Sequence, residues 1–319
     1  MPDKSRNKEN KEIKKEQTRC GFVSVVGRPN VGKSTLVNKM IGEKISIVSR
    51  VPQTTRRQIR GIYTDERGQI IFIDTPGLHL GSDRLDRFMN RSSTGTLDEV
   101  DCVIHLVDPS RRVGEEEKNV VQHLKSIKVP IILGLNKVDL KSLDFTPYIS
   151  LWEKMAGKAI TDIKHLTMIA ISGKSGINLD KLMDIIFHSL PRGPLLYPQD
   201  IICDLPRRLA MADIIREKLF NLMRQEIPHS LEVYIEHVQP RKGNMLNVKA
   251  LIMVARPGQK EIVIGKKGEI LKLIGTKARK ELEILLESKV FLDLHVKAKK
   301  GWRDNLSVLQ DLGYEFFID

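Results

Sequence analysis

Residues 23–37 read Val-Ser-Val-Val-Gly-Arg-Pro-Asn-Val-Gly-Lys-Ser-Thr-Leu-Val, and this stretch decides the fold. The apolar run 22–26 fits a buried strand. Residues 27–34 match the phosphate-loop pattern Gly-x-x-x-x-Gly-Lys-Ser/Thr, and 34–41 read as the helix that follows. In such a loop backbone N–H groups converge on phosphate oxygens, and the helix N-terminus adds favourable partial charge. Gly27, Arg28, Pro29, Asn30, Val31, Gly32, Lys33, Ser34 and Thr35 are therefore candidate nucleotide contacts. Lys33 reaches the β- and γ-phosphates, and the Ser34 hydroxyl ligates Mg2+.

Outward from the loop, short β-branched runs recur at 70–73, 103–107, 131–135 and 167–171, suited to the central strands of a parallel sheet. Residues 115–127 and 180–189 carry apolar side chains at helical spacing. The pattern predicts an α/β domain over 20–190, a mostly parallel sheet flanked by helices, with ligands at the carboxyl ends of the strands.

Further motifs sit at those ends. Val51-Pro52-Gln53-Thr54-Thr55-Arg56-Arg57 occupies the place of a mobile loop whose threonine joins the Mg2+ shell when a γ-phosphate is bound. Thr55 is the candidate and Thr54 the runner-up. The strand at 71–73 delivers Asp74-Thr75-Pro76-Gly77, where Asp74 holds Mg2+ through a water and the Gly77 N–H meets the γ-phosphate. The strand at 132–135 delivers Asn136-Lys137-Val138-Asp139. The Asp139 carboxylate accepts both the N1–H and the exocyclic amine of guanine, a donor pair that adenine lacks, so the nucleotide is GTP or GDP. The Lys137 stem covers one face of the base, and the Asn136 amide ties the loops together. Ser172-Gly173-Lys174 ends the next strand, where Ser172 and backbone N–H groups meet the guanine O6; Ser172 equally suits a helix N-cap. Lys33, Thr55 and Gly77 carry the hydrolytic step. Leu78 stands where many GTPases place a water-orienting glutamine, which predicts slow hydrolysis. His79 reads as a structural loop residue rather than a base. Residues 80–100, rich in Gly and Ser, read as a second switch segment and its helix.

The Pro- and Gly-rich stretch 191–205 reads as a linker, and 206–319 as a second domain. A helix starts near Pro206 and 209–223 is amphipathic. Residues 230–238 and 246–255 alternate as strands. Gly265-Lys266-Lys267-Gly268 follows the apolar run 262–264, read as a strand end, and precedes a helix; 290–296 forms a last strand. Helix, strand, strand, Gly-x-x-Gly, helix, strand is the order of a prokaryotic-type KH domain, which binds single-stranded RNA. The candidate RNA contacts are Ile264, Gly265, Lys266, Lys267, Gly268, Lys272, Lys299, Lys300 and Trp302. The lysines contact phosphates, and Ile262, Ile264, Ile270 and Ile274 form an apolar groove for unstacked bases. Trp302 reads either as a base-stacking ring or as core.

Composition agrees. The 319 residues carry a net charge of +13, which favours a polyanionic partner. Residues 256–303 hold 13 Lys and Arg against 6 Asp and Glu, more than half of that excess. Cys20, Cys102 and Cys203 are odd in number and widely spaced, which argues against a disulfide framework or structural zinc. No apolar stretch approaches the roughly 18 residues of a spanning helix. Residues 1–19 are polar and of mixed charge and read as a solvated tail.

The five nucleotide motifs, in order, resemble a translation-factor-type GTPase domain. The wording Gly-Arg-Pro-Asn-Val-Gly-Lys-Ser, Pro-Gln-Thr-Thr-Arg and Asp-Thr-Pro-Gly-Leu-His, together with the Gly-x-x-Gly domain, resembles the Era family of bacterial ribosome-assembly GTPases over nearly the whole chain after the tail. Gly173 departs from the Ser-Ala usual in that family; the backbone donor stays, in a looser loop. The resemblance implies a monomeric, cytoplasmic GTPase switch with peripheral contact at the membrane surface. Its partners would be the 3′ end of small-subunit ribosomal RNA and the small ribosomal subunit. It further implies K+ beside Mg2+, held partly by Asn30, which places Asn30 among the catalytic candidates. An RNA-binding scaffold with structural nucleotide is the competing account. A tRNA-modification GTPase is disfavoured by the Gly-x-x-Gly domain and by the lack of a C-terminal cysteine.

Overall fold

Val, Ile and Leu runs with no polar alternation must be covered on both faces, and the sheet of the first unit shows this. The computed structural model describes residues 18–49, 51, 54–77, 83–95, 99–223 and 227–314; the tail 1–17, Leu78 and His79 lie outside them. In chain order the elements are β1 (Arg19–Val26), α1 (Lys33–Ile41), β2 (Ile59–Asp65), β3 (Gly68–Asp74), α2 (Arg84–Thr94), β4 (Cys102–Val107), α3 (Glu115–Leu124), β5 (Ile131–Leu135), α4 (Thr146–Ala156), β6 (Leu166–Ala170) and α5 (Leu179–Ser189). There follow α6 (Arg207–Leu222), α7 (Ile227–Ser230), β7 (Leu231–Arg241), β8 (Met245–Val254), α8 (Pro257–Ile264), α9 (Glu269–Leu286), β9 (Lys289–Ala298) and α10 (Leu306–Asp311). Contacts divide the chain into two units, one of Met1–Ser46, Thr55–Leu80 and Met89–Asp204, the other of Ile47–Thr54, Gly81–Phe88 and Leu205–Asp319.

The first unit holds a six-stranded sheet in the order β2-β3-β1-β4-β5-β6. All neighbours are parallel except β2 with β3, an antiparallel pair. Every residue of β3 and of β4 is buried. Leu36, Val37, Leu182 and Ile186 belong to one apolar cluster, and Val120, Val121, Leu151 and Trp152 to another. The strands and helices expected at 22–26, 70–73, 103–107, 131–135, 167–171, 115–127 and 180–189 are present with ends shifted by a few residues. The sequence reading omitted β2 and α4.

The stretch expected as a linker is packed on this unit. Ile62 N–H donates to Ile202 O at 2.9 Å, and Cys203 bridges Gly61, so the outer edge of β2 is covered. The buried Gln69 side chain accepts from the N–H groups of Leu196 and Tyr197, each at 2.9 Å, and donates to Tyr197 O at 2.9 Å. A polar side chain buried in a sheet needs such partners, and here the connecting segment supplies them.

In the second unit β7 pairs antiparallel with β8, and β8 pairs parallel with β9. Residues from α6, α9 and the three strands, among them Ile215, Leu219, Ile252, Ala278 and Leu282, make one core. Three expectations are corrected here. Residues 262–264 are the end of helix α8, not a strand. Pro257 in the first turn and Gln259, which accepts from the Arg256 N–H at 2.9 Å, start that helix and override the β-branched run. Ile274 is fully buried in the core and lines no groove. Trp302 is also fully buried, its Nε1–H donating to Ser230 O at 3.0 Å, so it is core and presents no face to a base. Arg216, fully buried, pairs with Asp213 at 2.8 Å and Glu232 at 2.9 Å. Burial alone would lower its basicity, but the two carboxylates more than offset this and raise it. Among the described residues no helix is long and apolar enough to cross a membrane.

Candidate functional site

The loop between β1 and α1 turns through Gly32, whose φ is 104°. A Cβ there would stand 2.7 Å from Asn136 Nδ2, so only glycine fits. Asn136 Nδ2 donates to Val31 O at 2.7 Å, and its Oδ1 accepts from the Gly173 N–H at 2.9 Å. One amide thus joins three loops, as its place in the motif suggested. Gly173 also packs on α1, where a Cβ would meet Leu36 Cα at 3.2 Å; the loop is pinned rather than loose.

Lys33 Nζ is buried and donates to Gly27 O at 2.9 Å and Arg28 O at 3.2 Å. Burial pushes its ammonium down to about 8, against the pull of Asp74, Glu117 and Glu116. Ser34 Oγ and Thr55 Oγ1 lie 2.9 Å apart, and Thr55 Oγ1 donates to Asp74 Oδ2 at 3.4 Å. Burial raises the Asp74 carboxyl above its ordinary value despite the neighbouring Ser34, Ser46 and Thr55 hydroxyls and the nearby Lys33 charge. Asp74 Oδ1 is buried without a hydrogen-bond partner among the described residues. Two hydroxyls and one carboxylate with an orphaned oxygen fit a hard cation such as Mg2+, which binds through few protein oxygens plus phosphates. Thr54 Oγ1 instead donates within its own segment, to Val51 O at 2.6 Å.

Thr75 Oγ1 donates to Val25 O at 3.0 Å. Arg28 is buried, with Nη1 donating to Arg112 O at 2.9 Å. Pro29 closely faces Gly77, where a Cβ would come within 3.0 Å of it. Asn30 is exposed with a φ of 64°. Lys137, with a φ of 68°, reaches Asp108 Oδ2 at 2.5 Å. Burial would raise the Asp108 carboxyl, but Lys137 and Ser110 hold it below its ordinary value. Ser172 Oγ donates to the exposed Asp139 carboxylate at 2.7 Å and accepts from the Ser175 N–H at 3.0 Å. Lys174 is exposed beside it.

In the second unit Gly265 has a φ of 75°, and a Cβ there would strike Ile270 Cγ1 at 2.6 Å. Lys266 and Lys267 are exposed between the two glycines, and Lys267 also adopts a left-handed backbone with a φ of 53°. Ile264 is half-buried, and Lys299 and Lys300 are exposed after β9. A groove of about 440 Å³ runs from Gly268 along α9 (Lys272, Thr276, Arg279) and the edge strand β9 (Phe291, Leu294). Of the isoleucines expected to form a groove, Ile262 is exposed, Ile264 and Ile270 are half-buried, and Ile274 is core. Phe291 and Arg279 line this groove and stand outside the expected contacts; the small pair Gly275-Thr276 on α9, which leaves the space, is the signal the sequence offers for it.

Two family models match the chain, a 50S ribosome-binding GTPase over residues 22–137 and a KH domain over 226–303. Curated relatives include the GTPase Era of Heliobacterium modesticaldum, 45% identical over 94% of this chain and 98% of that protein. The GTPase Era of Yersinia pestis is 42% identical over 94% and 97%. A crystal structure of Era with MgGDPNP and nucleotides 1506–1542 of 16S ribosomal RNA aligns with a TM-score of 0.86 at 37% identity, covering 94% of this chain and 100% of that one. A variant of Aquifex aeolicus Era bound to GDP and AlF4− aligns equally well, with a TM-score of 0.86 at 37% identity over the same shares.

Proposed function

The chain belongs to the Era family of GTPases, and from that premise we propose that it is a GTP-hydrolysing switch that holds the 3′ region of small-subunit ribosomal RNA during assembly of the small subunit. The observation that carries the switch is the meeting of Ser34 and Thr55 with the buried Asp74 carboxylate, whose Oδ1 has no hydrogen-bond partner among the described residues. Thr55 reaches that point from the switch segment, so a cation bridging to the γ-phosphate fixes the segment, and hydrolysis releases it. Mg2+, when bound, neutralises charge on the phosphates. Lys33 holds the phosphate oxygens, Gly77 faces the γ-phosphate from the end of β3, and Asp139 reads the guanine.

The RNA is single-stranded, received at Gly265–Gly268 and along the α9–β9 groove, with Lys266, Lys267, Lys272, Lys299 and Lys300 on phosphates and Phe291 available for a base. The Era–RNA structure supports this reading by its 16S ribosomal RNA fragment. The experiment is single-turnover GTP hydrolysis with and without an RNA of that 3′ sequence, alongside RNA affinity in the GDPNP and GDP states. Hydrolysis in the presence of RNA, and affinities that differ between the two states, are expected. No turnover under either condition would leave an RNA-binding scaffold with structural nucleotide.

We further propose that K+ assists hydrolysis, held partly by Asn30, whose exposed, left-handed position on the loop supports the role. Hydrolysis should be faster in potassium than in sodium, and Asn30→Ala should abolish the difference; equal rates in the two salts refute it.

A further inference from the structure

The polar groups beneath the nucleotide site form one connected set, and the nucleotide motifs explain only its ends. Arg28, in the phosphate loop, is 3% exposed. Its Nε lies 3.0 Å from Glu117 Oε2 of α3. Its Nη2 donates to the Tyr148 phenol oxygen at 2.8 Å and approaches Asp108 O at 3.4 Å. The Tyr148 hydroxyl in turn lies 2.7 Å from Asp108 O and 2.8 Å from Arg111 O, and its single proton serves these two carbonyls. Asp108 holds the other end, with its Oδ2 on Lys137 Nζ at 2.5 Å and its Oδ1 on Ser110. Behind Arg28, Glu117 Oε1 lies 3.3 Å from His105 Nε2, and His105 Nδ1 accepts from Trp152 Nε1 at 3.1 Å. Tyr148 and Trp152 come from α4, four residues apart on one buried face.

We propose that Tyr148, which lies outside every nucleotide motif, is a positioning residue for nucleotide retention: its phenol oxygen grips Arg28 of the phosphate loop and Asp108, the partner of Lys137, so that the phosphate-binding and base-binding loops share one buried anchor. The proposal rests on the guanine-nucleotide reading of the site. Its physical basis is that hydrogen bonds in a water-free network are strong when complete, and that losing one member leaves several buried groups unpaired at once. Arg28 lies next to Gly27, and the carbonyls of both residues hold Lys33, so a shift of Arg28 moves the phosphate-binding ammonium. A shift of Asp108 moves Lys137 off the base.

Tyr148→Phe keeps the buried ring and deletes only the oxygen. The test is the dissociation rate of a fluorescent GDP analogue from the full chain, chased with unlabelled GDP. Tyr148→Phe is expected to release it about tenfold faster, the factor of one net buried hydrogen bond. Asp108→Asn keeps the carbonyl that accepts from Tyr148 and weakens only the Lys137 contact, so it is expected to speed release independently. Glu117 reaches the same Arg28 side chain as Tyr148, so the double variant Tyr148→Phe/Glu117→Gln should be little faster than the faster single one. Multiplying rates in that double variant would overturn the shared anchor. An unchanged rate in Tyr148→Phe, with only a lower unfolding temperature, would reduce the tyrosine to packing and overturn the proposal. Should Tyr148→Phe fail to fold, Glu117→Gln reaches Arg28 from the other side; severalfold faster release is expected, and a wild-type rate overturns the inference. Failure of the wild-type chain to bind the GDP analogue at all would instead refute the guanine-nucleotide reading.

Discussion

Asp74 is a buried carboxylate, and its sign of pH dependence follows from its surroundings. Its folded-state value is raised by burial, so whatever stability it contributes is fully present below the unfolded value of 3.8 and is lost as pH rises through the higher folded value. At neutral pH the ionised group is a burden on the nucleotide-free protein. Asp74→Asn is therefore expected to stabilise that state by about 1–2 kcal/mol, with a larger gap from wild type at pH 8 than at pH 5 in thermal unfolding. The same variant should lose Mg2+-dependent GTP affinity by roughly a hundredfold, as one charge-assisted ligand is removed. Lys33 titrates in the opposite sense. With its ammonium lowered to about 8, the free protein loses the charge that attracts phosphate as pH rises through that value. GTP association measured by stopped flow should fall between pH 7 and 9, while unfolding stability rises with pH between about 8 and 10.5, where the unfolded chain binds more protons.

At the scale of elements, the Gly265–Gly268 turn joins two helices, α8 and α9, and projects two exposed lysines. Lys266→Ala with Lys267→Ala should weaken single-stranded RNA binding regardless of sequence, reduce the slope of log affinity against log salt by about 1.4, and leave RNA-free GTP hydrolysis unchanged. This turn also shows what the sequence made legible. Its glycines were readable because left-handed backbone and close approach demand them. The helix before it was not, since Ile262, Val263 and Ile264 carry strand propensity and the competing start signal, Pro257 with Gln259, is short. Likewise β2 escaped because Arg60 and Thr64 break its apolar pattern, and its place at the sheet edge tolerates them. The nucleotide motifs were legible for a different reason: phosphate and guanine recognition permit few residue types at fixed spacing. Tyr148, Asp108 and Glu117 meet no such constraint, and only three-dimensional contact joins them.

At the scale of the whole molecule, the segment 191–204 belongs to the first unit as firmly as any strand edge. Gln69→Ala removes a fully buried amide and leaves the N–H groups of Leu196 and Tyr197 without their acceptor. A loss of about 2–4 kcal/mol is expected, read in chemical denaturation, together with faster limited proteolysis between residues 193 and 203. Unchanged proteolysis would show that other contacts suffice to hold the segment.

The burial of Trp302 has an optical consequence. The chain has two tryptophans, Trp152 and Trp302, both buried, one in each unit. Trp152 stands 5.8 Å from the His105 ring and donates to it, so its emission senses the network under the phosphate loop. Trp302 donates to a backbone carbonyl beside the start of β7, and its emission senses the second unit. Trp152→Phe and Trp302→Phe then yield proteins with one tryptophan each, and under tryptophan-selective excitation the melting of each unit is read in its own variant, without labels.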